Sequence, residues 1–538
     1  MTSEEAELQE AVQRIVDSKN AKKLIIAGPG AGKTTLFKEL LKLSPGGKDD
    51  RLVLTFINSL KNDLETQLSD LARVFTLHGY CFGLLHRKER LRDGLSPEFR
   101  CLPGLARLIR SDWTHIHGSE APHFVLQVRQ LQETKDLDFY VARGNYYDAV
   151  DFDDCVFRIY KGITEGRDEI EAYELVLIDE YQDFNALEAG IVDRLSDKSP
   201  IVIAGDDDQA LYSQLRDASW DHIRSLRSGG KFDVFELPFC MRCPKVIVDA
   251  VNDVIIQAQK IKKLEGRIEK PYKYFAPAKG KDSDKYPKIA LVWTSIQRES
   301  LNYMGRYIAD VIGRIPEDER EAAAKAGYPT ALVIAVRPYS EQIITCLRER
   351  GVKLDIKEDS EDALDRAQGL AMLKENNKSN LGWRIVIESE EKAFAAELVS
   401  KTAEMDRPMI DVLPNKFREK ILAEAKQTEL LSEKNEEARK LGETAPMVKV
   451  TSFEGAKGLS AQHVFIAGLH NGEIPRDPNN VRDLEICKFV VGVTRTRKRC
   501  HLIHTGRFGG EQKRPCLFIS WIEDSRFECI EVSARTWK

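Results

Sequence analysis

The stretch LIIAGPGAGKTT (residues 24–35) joins four apolar residues to a glycine-rich turn that ends in lysine and two threonines. Upstream, KKLIIAG has the continuous apolar character of a buried parallel strand, and downstream LFKELLKL carries helical periodicity. The turn therefore falls at a strand end and a helix start, where backbone N–H groups converge and the helix dipole is positive. That is a phosphate cradle. Gly28, Pro29, Gly30, Ala31 and Gly32 supply its backbone, Lys33 reaches terminal phosphates, and Thr34, followed by Thr35, offers a hydroxyl to magnesium. Ala27 stands where the strict pattern begins with glycine, but the flexible positions fall after it, on Gly28, Gly30 and Gly32.

Hydrolysis needs a second half-site. YELVLIDEYQDF (173–184) is another apolar strand, and it closes on acids: Asp179 is placed to hold Mg2+ through water, and Glu180 to orient and deprotonate an attacking water. IVIAGDDDQALY (201–212) repeats the form with an acid run and Gln209. Three such strands predict one ligand site at the carboxyl edge of a parallel sheet.

The 538 residues, 42% hydrophobic and 31% charged, predict a globular chain of two to four domains. Its 81 basic and 86 acidic side chains give a net charge of −5, so no chain-wide cationic field announces nucleic acid, and any such partner is gripped locally. The acidic start MTSEEAELQEAV lacks a secretory pattern and no apolar run spans a bilayer, which predicts a cytoplasmic protein with no membrane partner. Its ten cysteines then read as free thiols. Cys240 and Cys243 have metal-like spacing, but no second pair completes a ligand set.

Together, AGPGAGKT, IDEYQD and GDDDQALY resemble the first three ATPase motifs of superfamily 1 helicases of the UvrD/Rep type. Further segments extend the resemblance: LTFINSLKNDL (54–64), TLHGYCFGLLHR (76–87), ELPFCMRCP (236–244), VTSFEGAKGLSAQHVFIAGL (450–469) and VVGVTRTRKRCHLI (490–503). It implies an α/β protein with two RecA-like parallel-sheet motor domains clamping ATP and Mg2+. By the same resemblance Arg242 and Arg495 are phosphate-contacting arginines of the second domain, and Gln209 senses the γ-phosphate. Gln182 stands beside the acids, and Gln9 or Gln13 contacts adenine. Phe56, Asn58, Thr76, His78, Tyr212, Thr451 and Lys457 are the implied contacts to single-stranded DNA, tracked 3′ to 5′.

The chain also departs from that pattern. SQLRDA follows Tyr212 where the family carries a stacking tryptophan, CMRC lacks the tyrosine that packs on the base, and Ser460 replaces a glutamate. The motif positions predict a first motor domain at 1–83 and 151–235, a helical insertion at 84–150, a second motor domain at 236–385 and 446–538, and a reduced helical insertion at 386–445. The charge runs of that last insertion read as solvated helix faces. The lysine-rich 261–288 reads as a solvated connector. No nuclease signature follows the sixth motif. Two other readings share the ATP site: a translocase that strips proteins from DNA, and a regulatory ATPase that senses DNA ends or free nucleotide for a partner nuclease, as in a phage-defence system of the Gabija kind.

Overall fold

The computed structural model describes residues 2–277, 285–356, 364–427 and 447–536. Residues 278–284 of the lysine-rich stretch and 428–445 of the charged insertion lie outside the described residues.

Two parallel sheets organise the chain. The first holds β1 (Lys22–Ala27), β2 (Arg51–Thr55), β3 (Arg73–Thr76), β4 (Leu175–Ile178), β5 (Ile201–Gly205) and β6 (Asp233–Leu237) in the order β3-β2-β4-β5-β1-β6. Ile25 of β1 lies opposite Ala204 on one side and Phe235 on the other. Every residue of β2, β4 and β5 is buried, as the unbroken apolar runs predict for strands covered on both faces. β6 extends this first sheet to Leu237, two residues past the sequence boundary at 235. The helix Lys33–Leu43 starts from Gly32 and buries Leu36, Phe37, Leu40 and Leu41 against the sheet. Each such side chain contributes about 1.5–3 kcal/mol, which anchors the loop between β1 and this helix.

The second sheet holds β7 (Ile289–Thr294), β8 (Ala331–Ala335), β9 (Leu354–Ile356), β10 (Val448–Thr451), β11 (Ala461–Ala467), β12 (Thr496–Thr505) and β13 (Phe527–Val532) in the order β9-β10-β8-β11-β12-β7-β13, all parallel. The fold is thus α/β, of the P-loop class with two RecA-like sheets.

Helices between the sheet segments form a shared layer. The first insertion contributes Leu105–His117 and Asp136–Tyr147. The second begins at Arg366, some way before the expected boundary at 386, because Arg366–Glu375 and Asn380–Glu388 are already helical. The two insertions pack together. Asp112, fully buried, accepts from Arg143 Nε at 2.7 Å, Arg384 Nε at 2.6 Å and the Tyr147 hydroxyl, and Arg143 also donates to the Thr402 carbonyl at 2.8 Å. Burial would raise the Asp112 carboxyl, but the Arg384 and Arg143 guanidiniums outweigh it and hold the group below the usual carboxylate range.

Candidate active site

The phosphate loop takes the shape its glycines permit. Gly30 (φ +74°) and Gly32 (φ +87°) are left-handed, a conformation that costs other residues energy. The loop is also closely covered by residues that follow the first sheet, between 241 and 272. The Met241 N–H donates to the Gly30 carbonyl at 2.9 Å, and the Tyr272 hydroxyl donates to the Pro29 carbonyl at 3.2 Å. A Cβ at Gly28 would meet the Tyr272 ring at 2.7 Å, and one at Gly30 would meet Arg242 Cβ at 2.7 Å. Ala31 is buried, Thr34 half-buried and Thr35 exposed.

Beneath the loop, Lys33 forms an ion pair with Glu180 and lies 3.3 Å from Asp179 Oδ1. Burial alone would depress the lysine; Asp179 and Glu180 together hold it above its usual range. Glu180 is likewise buried, yet Lys33 first and Lys457 second keep it well below the usual carboxylate range. Glu180 has φ +55°, an unfavourable backbone for glutamate that aims the carboxylate back at Lys33. Asp179 Oδ1 is buried with the Lys33 ammonium at 3.3 Å as its counter-charge, and with the Thr34 hydroxyl it offers the oxygen donors Mg2+ prefers. The residues present fit that ion.

Two glutamines tie the acids together. Gln182 donates to Glu180 Oε2 at 2.5 Å and accepts the Asp206 N–H at 2.9 Å, joining the ends of β4 and β5. Gln209 donates to Asp206 Oδ2 at 2.8 Å, while its carbonyl oxygen accepts from Arg495 at 3.1 Å. Arg495 comes from the second lobe, where its Nε is fixed by the Val491 carbonyl at 2.9 Å. Burial and then the neighbouring Arg242 push it below the usual arginine range, so an anion between the two guanidiniums would relieve both. Arg242 Nε is buried with no hydrogen-bond partner.

The residues expected on the nucleic-acid face gather near the same carboxyl-terminal strand edges, but several turn inward. Phe56 is 3% exposed, packed 4.9 Å from Tyr212 with the Arg216 guanidinium 4.6 Å above it. The Tyr212 hydroxyl donates to the Glu454 carbonyl at 3.0 Å across the lobes. His78 is buried, its Nε2 facing Arg216 at 3.0 Å. Thr76 caps the helix Leu77–Arg87 by accepting the Gly79 N–H, Asn58 opens the helix Asn58–Leu68, and Thr451 ends β10. Lys457 is buried, its ammonium held by Asp183, the Gln209 backbone carbonyl at 2.5 Å and Glu180 at 3.5 Å, so it lies with the acids that follow β4. Gln9 and Gln13 are exposed on the helix Ser3–Asp17; Gln13 donates to Asp17 at 2.7 Å.

Sequence reading missed Asp183, Met241, Tyr272 and the cations that meet the acid run. The stretch 264–275 is no solvated connector: Arg267, the Ile268 N–H and Lys270 contact Asp206–Asp208 directly. Three adjacent buried acids demand counter-charge, and the lysine-rich stretch was the signal that could have answered it. Cys240 and Cys243 are both buried; the Cys243 N–H donates to Cys240 Sγ at 3.4 Å.

A family model described as an AAA domain matches residues 8–214, which contain the phosphate loop, the acids after β4 and Gln209. This part of the chain is similar to P-loop ATPase domains of helicase type. No curated protein matches the chain. Among the described residues, no helix is long and apolar enough to cross a membrane.

Proposed function

We propose that the chain is an ATP-driven translocase of the UvrD/Rep type, a DNA helicase moving 3′ to 5′ on single-stranded DNA. The observation that carries this reading is the approach of Arg495 and Arg242, from the second lobe, to the γ-phosphate machinery of the first: one donates to Gln209 and the other lies on Gly30. Magnesium, held by Thr34 and Asp179, would offset charge on the terminal phosphates.

Lys33 cannot serve ATP while paired with Glu180. When triphosphate enters, its oxygens draw the lysine away, and Glu180 loses the cation that most depresses its basicity. Binding thereby readies the base that takes a proton from the attacking water. Arg242 and Arg495 then meet the charge that develops on the γ-phosphoryl group, a contribution of about 10³–10⁵ in kcat for arginines in this role. Tyr212, which bonds Glu454 across the lobes, would carry cleft closure to the strand-tip residues Phe56, Thr76 and Thr451.

Steady-state ATP hydrolysis with and without single-stranded DNA, followed by displacement of a tailed duplex, tests this reading. Strand-stimulated turnover supports it; turnover indifferent to DNA, with no displacement, overturns it. The inward packing of Phe56 and Tyr212 favours a second reading, a nucleotide- or DNA-sensing ATPase subunit that works with a nuclease. Its mark would be slow hydrolysis that rises when that partner is added.

A further inference from the structure

Asp206, Asp207 and Asp208 are all buried, with ligand oxygens within 4.8 Å of one another. Like charges so close repel, and low local dielectric sharpens the repulsion. Lys270, its side chain 3% exposed, sits among them: 2.6 Å from Asp206 Oδ1, 3.2 Å from Asp207 Oδ1 and 2.7 Å from Asp208 Oδ2. The other two acids have further partners. Arg267 Nε donates to both oxygens of Asp208 at 2.7 and 2.9 Å, while Arg224 and the Ile268 N–H reach Asp207 at 3.0 and 2.8 Å. Among the described residues, Lys270 is the one cation paired with Asp206.

Asp206 turns its other oxygen to the Gln209 amide nitrogen at 2.8 Å, and the amide oxygen then faces Arg495 at 3.1 Å. An amide held between a carboxylate and a guanidinium sits one way round only, NH2 to the first and oxygen to the second. We propose that Lys270 is a positioning residue for hydrolysis at the phosphate loop: it fixes Asp206 against Gln209, and so sets the amide that Arg495 and the terminal phosphate meet. This inference rests on the ATPase reading above. It also gives residues 264–272 a double task, since the same segment brings Tyr272 onto Pro29.

The test compares ATP turnover and thermal melting of the full chain, Lys270→Met, and Lys270→Met with Asp208→Asn, in which the lost positive charge is matched by a lost negative one. Misplacing a group that acts at the phosphate should lower kcat about 100-fold in Lys270→Met, with KM for ATP within about threefold. The double variant should melt like the parent and remain slow. Parental kcat in either variant overturns the proposal, because Lys270 would then only balance charge. If the parent itself shows no turnover, the ATPase reading fails with the hydrolytic part of the proposal, and a crystal structure of either variant decides whether Lys270 positions Gln209. Gln209 rotated from Arg495 sustains it; Gln209 still bonded to Arg495 overturns it.

Discussion

At the scale of single residues, the site is a set of charges waiting for a more negative ligand. Lys33 is held by the carboxylates it must leave, and Glu180 is held by the lysine that masks it. Glu180→Gln should lower kcat by about 10²–10⁴ while leaving ATP affinity near the parent's, measured as steady-state turnover beside fluorescent-nucleotide binding. Undiminished turnover would remove Glu180 from the role of base. Contact between the lobes has its own residue test. An alanine Cβ at position 28 would lie 2.7 Å from the Tyr272 ring, so Gly28→Ala should destabilise the chain by about 1–3 kcal/mol in denaturant unfolding. Adding Tyr272→Ala should recover part of that loss; simple additivity would show that the two do not meet. The phosphate loop and both acids were legible in the sequence because consecutive residues carry the whole device. Lys457 was not, because nothing in EGAKGL tells which way its side chain turns; the buried Asp183 carboxylate decides that, 274 positions away.

At the scale of elements, buried polar networks join segments that lie far apart in the chain. Burial, and then the Arg216 guanidinium, push His78 down to about 3 from its usual 6.5. The unfolded chain gains this proton near pH 6.5 and the folded chain does not, so stability falls as pH drops from 6.5 towards 3. The slope from one such group is at most about 1.4 kcal/mol per pH unit. Urea titrations across that window should show a flatter dependence in His78→Gln, and an unchanged slope would mean that the imidazole is already charged in the fold. Asp112→Ala would strand the buried guanidiniums of Arg143 and Arg384, with an expected loss of about 3–5 kcal/mol in the same titrations. A loss under about 1 kcal/mol would contradict the joint packing of the two insertions. Helical character was legible from composition in the second insertion, whereas the first was marked by motif positions alone. Their union was not legible, because periodicity marks an apolar face without naming what covers it; the start at Arg366 was hidden for the same reason.

At the scale of the whole molecule, the two sheets meet along one line of chemistry. From the first come the phosphate loop, Glu180, Gln182 and Gln209; from the second come Lys457 and Arg495, while Arg242 and Tyr272 flank a separate two-stranded ribbon, Phe239–Cys240 with Lys273–Tyr274, that lies between the two sheets in the chain. The ordered motifs made the pair of sheets legible, since each motif ends a strand and strand ends share an edge. Residues 264–275 escaped because their lysines look solvated until the acid run that neutralises them is brought alongside. Closure of the two halves on one triphosphate is the central claim, and Arg495 is its most direct probe. Arg495→Ala, assayed for ATP turnover at saturating single-stranded DNA, should lose about 10³-fold in kcat with ATP binding retained. Turnover equal to the parent's would contradict the claim that a cation from the second lobe completes the site on the first.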